Sequence, residues 1–171
     1  MIAKIMSRVI LFLFVFMLSL AGVSLSQTAS QTPPAWLVPG AETEVSWLGS
    51  KTSTRVAIPE NFTADRVWPV LCYFHGTGGQ ASTSMMRRFT RQRDYIIVGM
   101  SYAVPGAGSL AADAVQKQIN HIARVRELLS KHVALQARTF VGGFSKGGWM
   151  SDLLATRGFP TLAGALIMGA G

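Results

Sequence analysis

At 171 residues, 49% hydrophobic and 14% charged, the chain fits one globular domain and lies outside the composition of disordered proteins. Sixteen Lys and Arg against eight Asp and Glu give a formal charge of +8, yet no nucleic-acid motif or aromatic-interleaved groove accompanies the basic residues, so no nucleic-acid partner is expected. The single cysteine, Cys72, excludes an internal disulfide, and no His, Cys, Asp or Glu cluster has metal-ligand spacing, so neither metal nor cofactor is expected.

Residues 1–26 read as a secretory signal. Lys4 and Arg8 precede an apolar run from Val9 to Leu20, followed by small side chains at Ser24 and Ser26 that suit signal peptidase. Cleavage near Ser26 would make the protein secreted or periplasmic and, by removing Lys4 and Arg8, lower the formal charge from +8 to +6. The run is short of the roughly 20 residues that span a bilayer, so membrane contact is expected only through this segment if it stays uncleaved. Residues 27–40, with Pro33, Pro34 and Pro39, read as a linker or extended lead-in, and residues 41–171 as the folded domain.

The domain opens with the pattern of an antiparallel hairpin: Val45 and Trp47 on one side, a turn at Gly49 and Ser50, then Val56 and Ile58. The runs PVLCYFHG and DYIIVGMSY are continuously apolar rather than alternating, as for strands of a parallel sheet buried on both faces; Cys72 then reads as a buried structural thiol. Between them, Ser82 or Thr83 is placed to cap a short helix through Met85, Met86 and Phe89, with the basic cluster from Arg87 to Arg93 as its solvated end. From Ser109 to Val133, apolar Val115, Ile119, Ile122, Leu129 and Val133 lie opposite Asp113, Lys117, Asn120, Arg124, Glu127 and Lys131, which predicts an amphipathic crossover helix. RTFVGGFS reads as a strand, KGGWMSDLLATRG as a helix and LAGALIMGAG as a last apolar strand. The alternation predicts an α/β domain with a mainly parallel sheet and helices on both faces.

Chemistry concentrates in VGGFSKGGWM. Gly143 and Gly147 bracket Ser145 in a G-x-S-x-G pattern that a strand enters and a helix leaves, the context of a nucleophile elbow. A helix starting directly after a strand must pass close to it, which small residues at 143, 147 and 148 permit. Ser145 then sits at a helix N-terminus, where free N–H groups favour developing negative charge, and the backbone N–H of Lys146 is one candidate donor. A second comes from the glycine-rich turn in FHGTGG: Thr77, with Gly76 or Gly78 as alternatives and His75 as a structural hydrogen-bonding residue. Neither stretch matches the G-x-x-x-x-G-K-[ST] phosphate loop. Tyr102 and Trp149 are candidate substrate contacts. The Lys146 side chain is expected to leave the site. Asp152 is expected to face away from it, and His121 and His132 to lie on the crossover helix, away from the strands' carboxyl ends.

With HGTGG after one strand and GFSKGGWM two strands later, the chain resembles the α/β-hydrolase superfamily. The pairing of an HG-x-x-G turn with G-x-S-x-G-G, and RVAIPENF ahead of PVLCYFHG, are similar to secreted poly(3-hydroxybutyrate) depolymerases and feruloyl esterases. The resemblance implies a serine hydrolase that cleaves small-molecule or polymeric esters through an acyl-Ser145 intermediate. It implies an oxyanion hole of Lys146 and Thr77, supported by Gly143, Gly147, His75 and Gly76. It also implies an acid and a histidine after the nucleophile, and no histidine follows Ser145 in this sequence. The expectation is therefore an inactive N-terminal portion of a secreted esterase whose C-terminal strands are missing; the alternative is a non-catalytic secreted binding module on the same scaffold.

Overall fold

The computed structural model describes residues 33–46 and 54–170. The expected signal segment and its cleavage site, Trp47, and the hairpin turn at Gly49 and Ser50 lie outside the described residues. Among those described, the order is β1 (Glu42–Val45), β2 (Thr54–Ala57), β3 (Trp68–Phe74), α1 (Ser84–Phe89), β4 (Ile96–Met100), a 3-10 turn (Ala107–Leu110), α2 (Ala112–Ser130), β5 (Leu135–Phe144), α3 (Lys146–Thr156) and β6 (Leu162–Met168).

The strands form one six-stranded sheet in the order β1-β2-β4-β3-β5-β6. β4, β3, β5 and β6 run parallel, and the β1–β2 hairpin joins β4 antiparallel, with Val56 opposite Val98. Every residue of β3 and β4 is buried, because both faces are covered. One face, with Val70, Cys72, Phe74, Ile96, Val98, Met100 and Val141, packs on Val115, Ile122, Val125 and Leu129 of α2 and on Met150 and Leu154 of α3. The other, with Leu71, Tyr73 and Ile97, packs on Met86 of α1. This two-sided burial is the physical origin of the continuous apolar runs.

The lead-in is anchored at Trp36, buried with its ring edge-on to His132, and at Gly40, whose N–H donates to the Ile58 carbonyl at 3.0 Å. Three local details differ from the pattern read in the sequence. The crossover helix starts at Ala112, after the 3-10 turn, and ends at Ser130, so His132 falls in the following turn. Thr83 occupies the N-cap of α1 but gives its hydroxyl to the Glu42 carboxylate, while Ser82 Oγ accepts from the Ser84 N–H. Arg87 is half-buried rather than freely solvated: it donates to the Gly40 carbonyl at 3.1 Å and lies 3.7 Å from Glu42. The acidic residue thereby draws it under the hairpin, leaving Arg88, Arg91 and Arg93 exposed.

The α1 side of the sheet is unevenly covered. Beyond β3 it presents Phe144 and Leu166, 47% and 41% exposed, facing Phe89 at 66%. Outer strand β6 pairs only with β5 among the described strands, so it offers backbone groups beside apolar side chains. The chain should therefore self-associate in solution. Light scattering is expected to report oligomers that shift toward monomer in Leu166→Lys; a monodisperse wild-type monomer would count against it.

Cys72 lies at the sheet centre, and burial pushes its thiol up from 9.0 to about 12, with a smaller opposing pull from Arg126. The folded chain keeps this proton where the unfolded chain has lost it, so the thiol's contribution to stability is complete below pH 9 and declines as pH rises toward 12. At pH 8 a disulfide reagent should leave Cys72 unmodified until denaturant is added, and rapid reaction of the native chain would contradict this burial.

Candidate active site

β5 carries the chain to Phe144, Ser145 makes the corner, and α3 begins at Lys146. At Ser145 the backbone takes φ 54° and ψ −119°, a conformation a side chain tolerates only at a cost of about 1–3 kcal/mol. The surroundings hold it there. Ser145 N–H donates to the Met168 carbonyl at 2.8 Å, and its own carbonyl accepts from Trp149 N–H at 3.1 Å. The glycines follow from close approach: a Cβ on Gly147 would lie 2.0 Å from the Phe74 carbonyl oxygen, and one on Gly143 would lie 2.1 Å from that of Gly147. The helix thus starts in contact with both β5 and the end of β3.

The second glycine-rich stretch lies beside this corner. Gly76 to Gly79 form a β-turn closed by Gly79 N–H on the Gly76 carbonyl at 3.1 Å, with Gly78 at φ 76°, the position where a type II turn needs glycine. A Cβ on Gly76 would touch Ser145 Cβ and the Phe144 carbonyl, each at 3.4 Å. Thr77 is exposed at the tip. His75 Nδ1 donates to the Gly76 carbonyl at 2.7 Å, which fixes the ring against the turn and puts the proton of the neutral imidazole on Nδ1.

Both stretches line one cleft of about 850 Å³, whose remaining wall is the segment after β4: Ser101, Tyr102, Pro105, Gly106, Ala107 and Leu110. Tyr102 is 5% exposed and donates its phenol to the His75 carbonyl at 2.6 Å. Burial, with a smaller effect of Tyr73, raises that phenol well above its ordinary range, so it remains a proton donor. Trp149, 46% exposed, completes the rim from the first turn of α3.

The Lys146 side chain does not leave the site. Its ammonium donates to the Gly106 carbonyl at 2.9 Å and lies 4.4 Å from the Tyr102 ring centroid; the segment after β4 curls over the elbow and gives it a carbonyl and an aromatic face. Gln118, which the sequence reading passed over, is fully buried. Its Oε1 accepts from Ala103 N–H at 2.7 Å, and its Nε2 reaches the Ser101 carbonyl at 3.4 Å. An amide between Val115 and Ile122 on an otherwise apolar stripe was the available signal. His121 and His132 do not line the cleft, and His121 is held toward its neutral form by burial. Asp152 also lies outside the lining, its carbonyl accepting from the Thr156 hydroxyl. Among the described residues no group of three metal-binding side chains converges, and no helix is long and apolar enough to cross a membrane.

The six-stranded, mainly parallel sheet with its helices and hairpin has the α/β-hydrolase fold. No protein-family model matches the chain, and no curated protein matches its sequence. Solved structures do resemble it. The feruloyl esterase module of Clostridium thermocellum, complexed with sinapinate, superposes with a TM-score of 0.56 at 16% identity, over 80% of this chain and 57% of its own. The acetyl xylan esterase of Aspergillus awamori gives 0.55 at 19% identity, over 74% and 50%. The hyperthermophilic esterase of the archaeon Pyrobaculum calidifontis gives 0.53 at 18% identity, over 76% and 45%. The chain spans about half the length of these structures.

The strained corner can be measured directly. Ser145→Gly, which removes the Cβ that makes φ 54° unfavourable, should unfold at higher urea than Ser145→Ala, by about 1 kcal/mol after the entropy cost of a glycine. Equal midpoints would mean that the corner stores no more strain than the entropy cost of a glycine.

Proposed function

We propose that the chain is the nucleophile-bearing part of a secreted or periplasmic serine esterase that hydrolyses carboxylic esters, small or polymeric, through an acyl-Ser145 intermediate. The observation that carries this reading is the juxtaposition of a serine held at φ 54° on a helix N-terminus with the Gly76–Gly79 turn, both on one cleft. In the proposed reaction Ser145 Oγ attacks the ester carbonyl, and negative charge builds on its oxygen. The N–H groups of Lys146 and Thr77 stabilise that oxyanion before the alcohol leaves. Lys146 N–H belongs to the first turn of α3, where no intrahelical acceptor exists. Water then attacks the acyl-serine, the acyl–Oγ bond breaks to release the carboxylic acid, and a proton from the water restores the Ser145 hydroxyl.

A serine hydroxyl is a poor nucleophile until a base takes its proton. Among the described residues no side chain hydrogen-bonds to Ser145 Oγ, and His75 spends Nδ1 on Gly76. The reading therefore leaves acid and base to sequence beyond these residues, in line with the half-length coverage of its structural neighbours. The same observation favours a second reading, a secreted module that binds esters without cleaving them. The resemblance to poly(3-hydroxybutyrate) depolymerases and feruloyl esterases supports an ester ligand in either case.

A fluorophosphonate probe followed by peptide mapping separates the two. Slow labelling confined to Ser145 and abolished in Ser145→Ala is expected. Ester turnover should stay small beside the 10⁶-fold or greater acceleration typical of enzymes, because an oxyanion hole and binding alone leave roughly 10³ to 10⁴ over water. No adduct after prolonged exposure would favour the binding module, and an adduct at another residue would overturn the assignment of Ser145.

A further inference from the structure

The cleft is electrostatically one-sided. Among the described residues its lining contains one ammonium, that of Lys146, and no carboxylate. Both contacts of that ammonium are to uncharged groups, the Gly106 carbonyl at 2.9 Å and the Tyr102 ring at 4.4 Å, so its full positive charge stands at the cleft wall. An ammonium has three N–H donors, and the carbonyl uses one. The lysine stem is held at its end before any ligand arrives, so an anion reaching it need not bear the ordering cost of a free lysine. The first turn of α3 adds partial charge of the same sign. Around it, Pro105, Ala107, Leu110 and Trp149 offer an uncharged wall.

We propose that Lys146 is a specificity-determining residue: the cleft selects esters that carry a second, ionised carboxylate near the scissile group, such as half-esters of short dicarboxylic acids. The inference rests on the reading of the cleft as an ester site. It gives the Lys146 side chain a role separate from that of its backbone N–H, which survives any substitution there except proline.

The test is a titration of the full chain with monoethyl succinate and with diethyl succinate, its neutral counterpart, followed by tryptophan fluorescence. Trp149 lines the cleft at 46% exposure, and the signal is assigned to it by its loss in Trp149→Phe. At low ionic strength the half-ester is expected to bind about tenfold more tightly, the effect of one charge-assisted hydrogen bond. The preference should shrink in salt, persist in Lys146→Arg and vanish in Lys146→Met. Equal affinity for both esters, no saturable response to the half-ester, or a preference that Lys146→Met retains would each overturn the proposal. If Lys146→Met does not fold, wild-type salt dependence and Lys146→Gln decide. Charge preference without any adduct at Ser145 would sink the esterase reading alone, whereas an adduct at Ser145 without charge preference would sink this inference alone.

Discussion

The approach of α3 to the end of β3 is the constraint on which the rest of the molecule depends. The Phe74 carbonyl comes so close to Gly147 that no side chain fits between them, and this contact joins the two strands whose loops build the cleft. Once the helix is seated there, Ser145 has no choice of backbone conformation, and the turn after β3 is brought against it. The deep side of the helix, Met150 and Leu154, then closes over the sheet beside α2. Packing of the core and placement of the serine are therefore one event.

The opposite wall depends on polar ties as well as on the packing of Tyr102 and Leu110 against the core. Gln118 fixes Ala103 from inside, Tyr102 reaches across to the His75 carbonyl, and Lys146 holds Gly106 from the elbow. Each hydrogen bond is worth about 1 kcal/mol, small against the burial of β3, but together they determine how wide the cleft stands. The wall can therefore vary with a few side chains while the sheet beneath it stays unchanged, which is how one scaffold serves different ligands.

The sequence was most legible where a physical requirement constrains residue type over several positions. Burial on both faces demanded the unbroken apolar runs of β3 and β4, and the tight corner demanded Gly143 and Gly147. Both were readable without coordinates. The paths of single polar side chains were not. Lys146 was expected to point outward, and its direction is set by Gly106, forty positions away in the chain. Arg87 read as a solvated end, and the residue that draws it inward, Glu42, belongs to the hairpin. Such pairings depend on which segments meet, and a local pattern contains no record of that. The boundary of α2 was missed for a related reason: the apolar period continues to Val133, beyond the point where the chain turns toward β5.

The strand order carries a consequence for biogenesis. β3, the central strand, takes β4 on one side and β5 on the other, and β5 can arrive only after α1, β4 and α2 have been traversed. A nascent chain on the ribosome can complete the hairpin and the β3–β4 pair while Ser145 is still in the exit tunnel. Until β5 is released and inserts, Phe74 has no helix against it and the glycine turn has no serine beside it. Long-range parallel pairing of this kind is slow to form, so β3 must wait with one edge open and both faces apolar. That interval is when the exposed edge and faces of β3 are most open to wrong pairing.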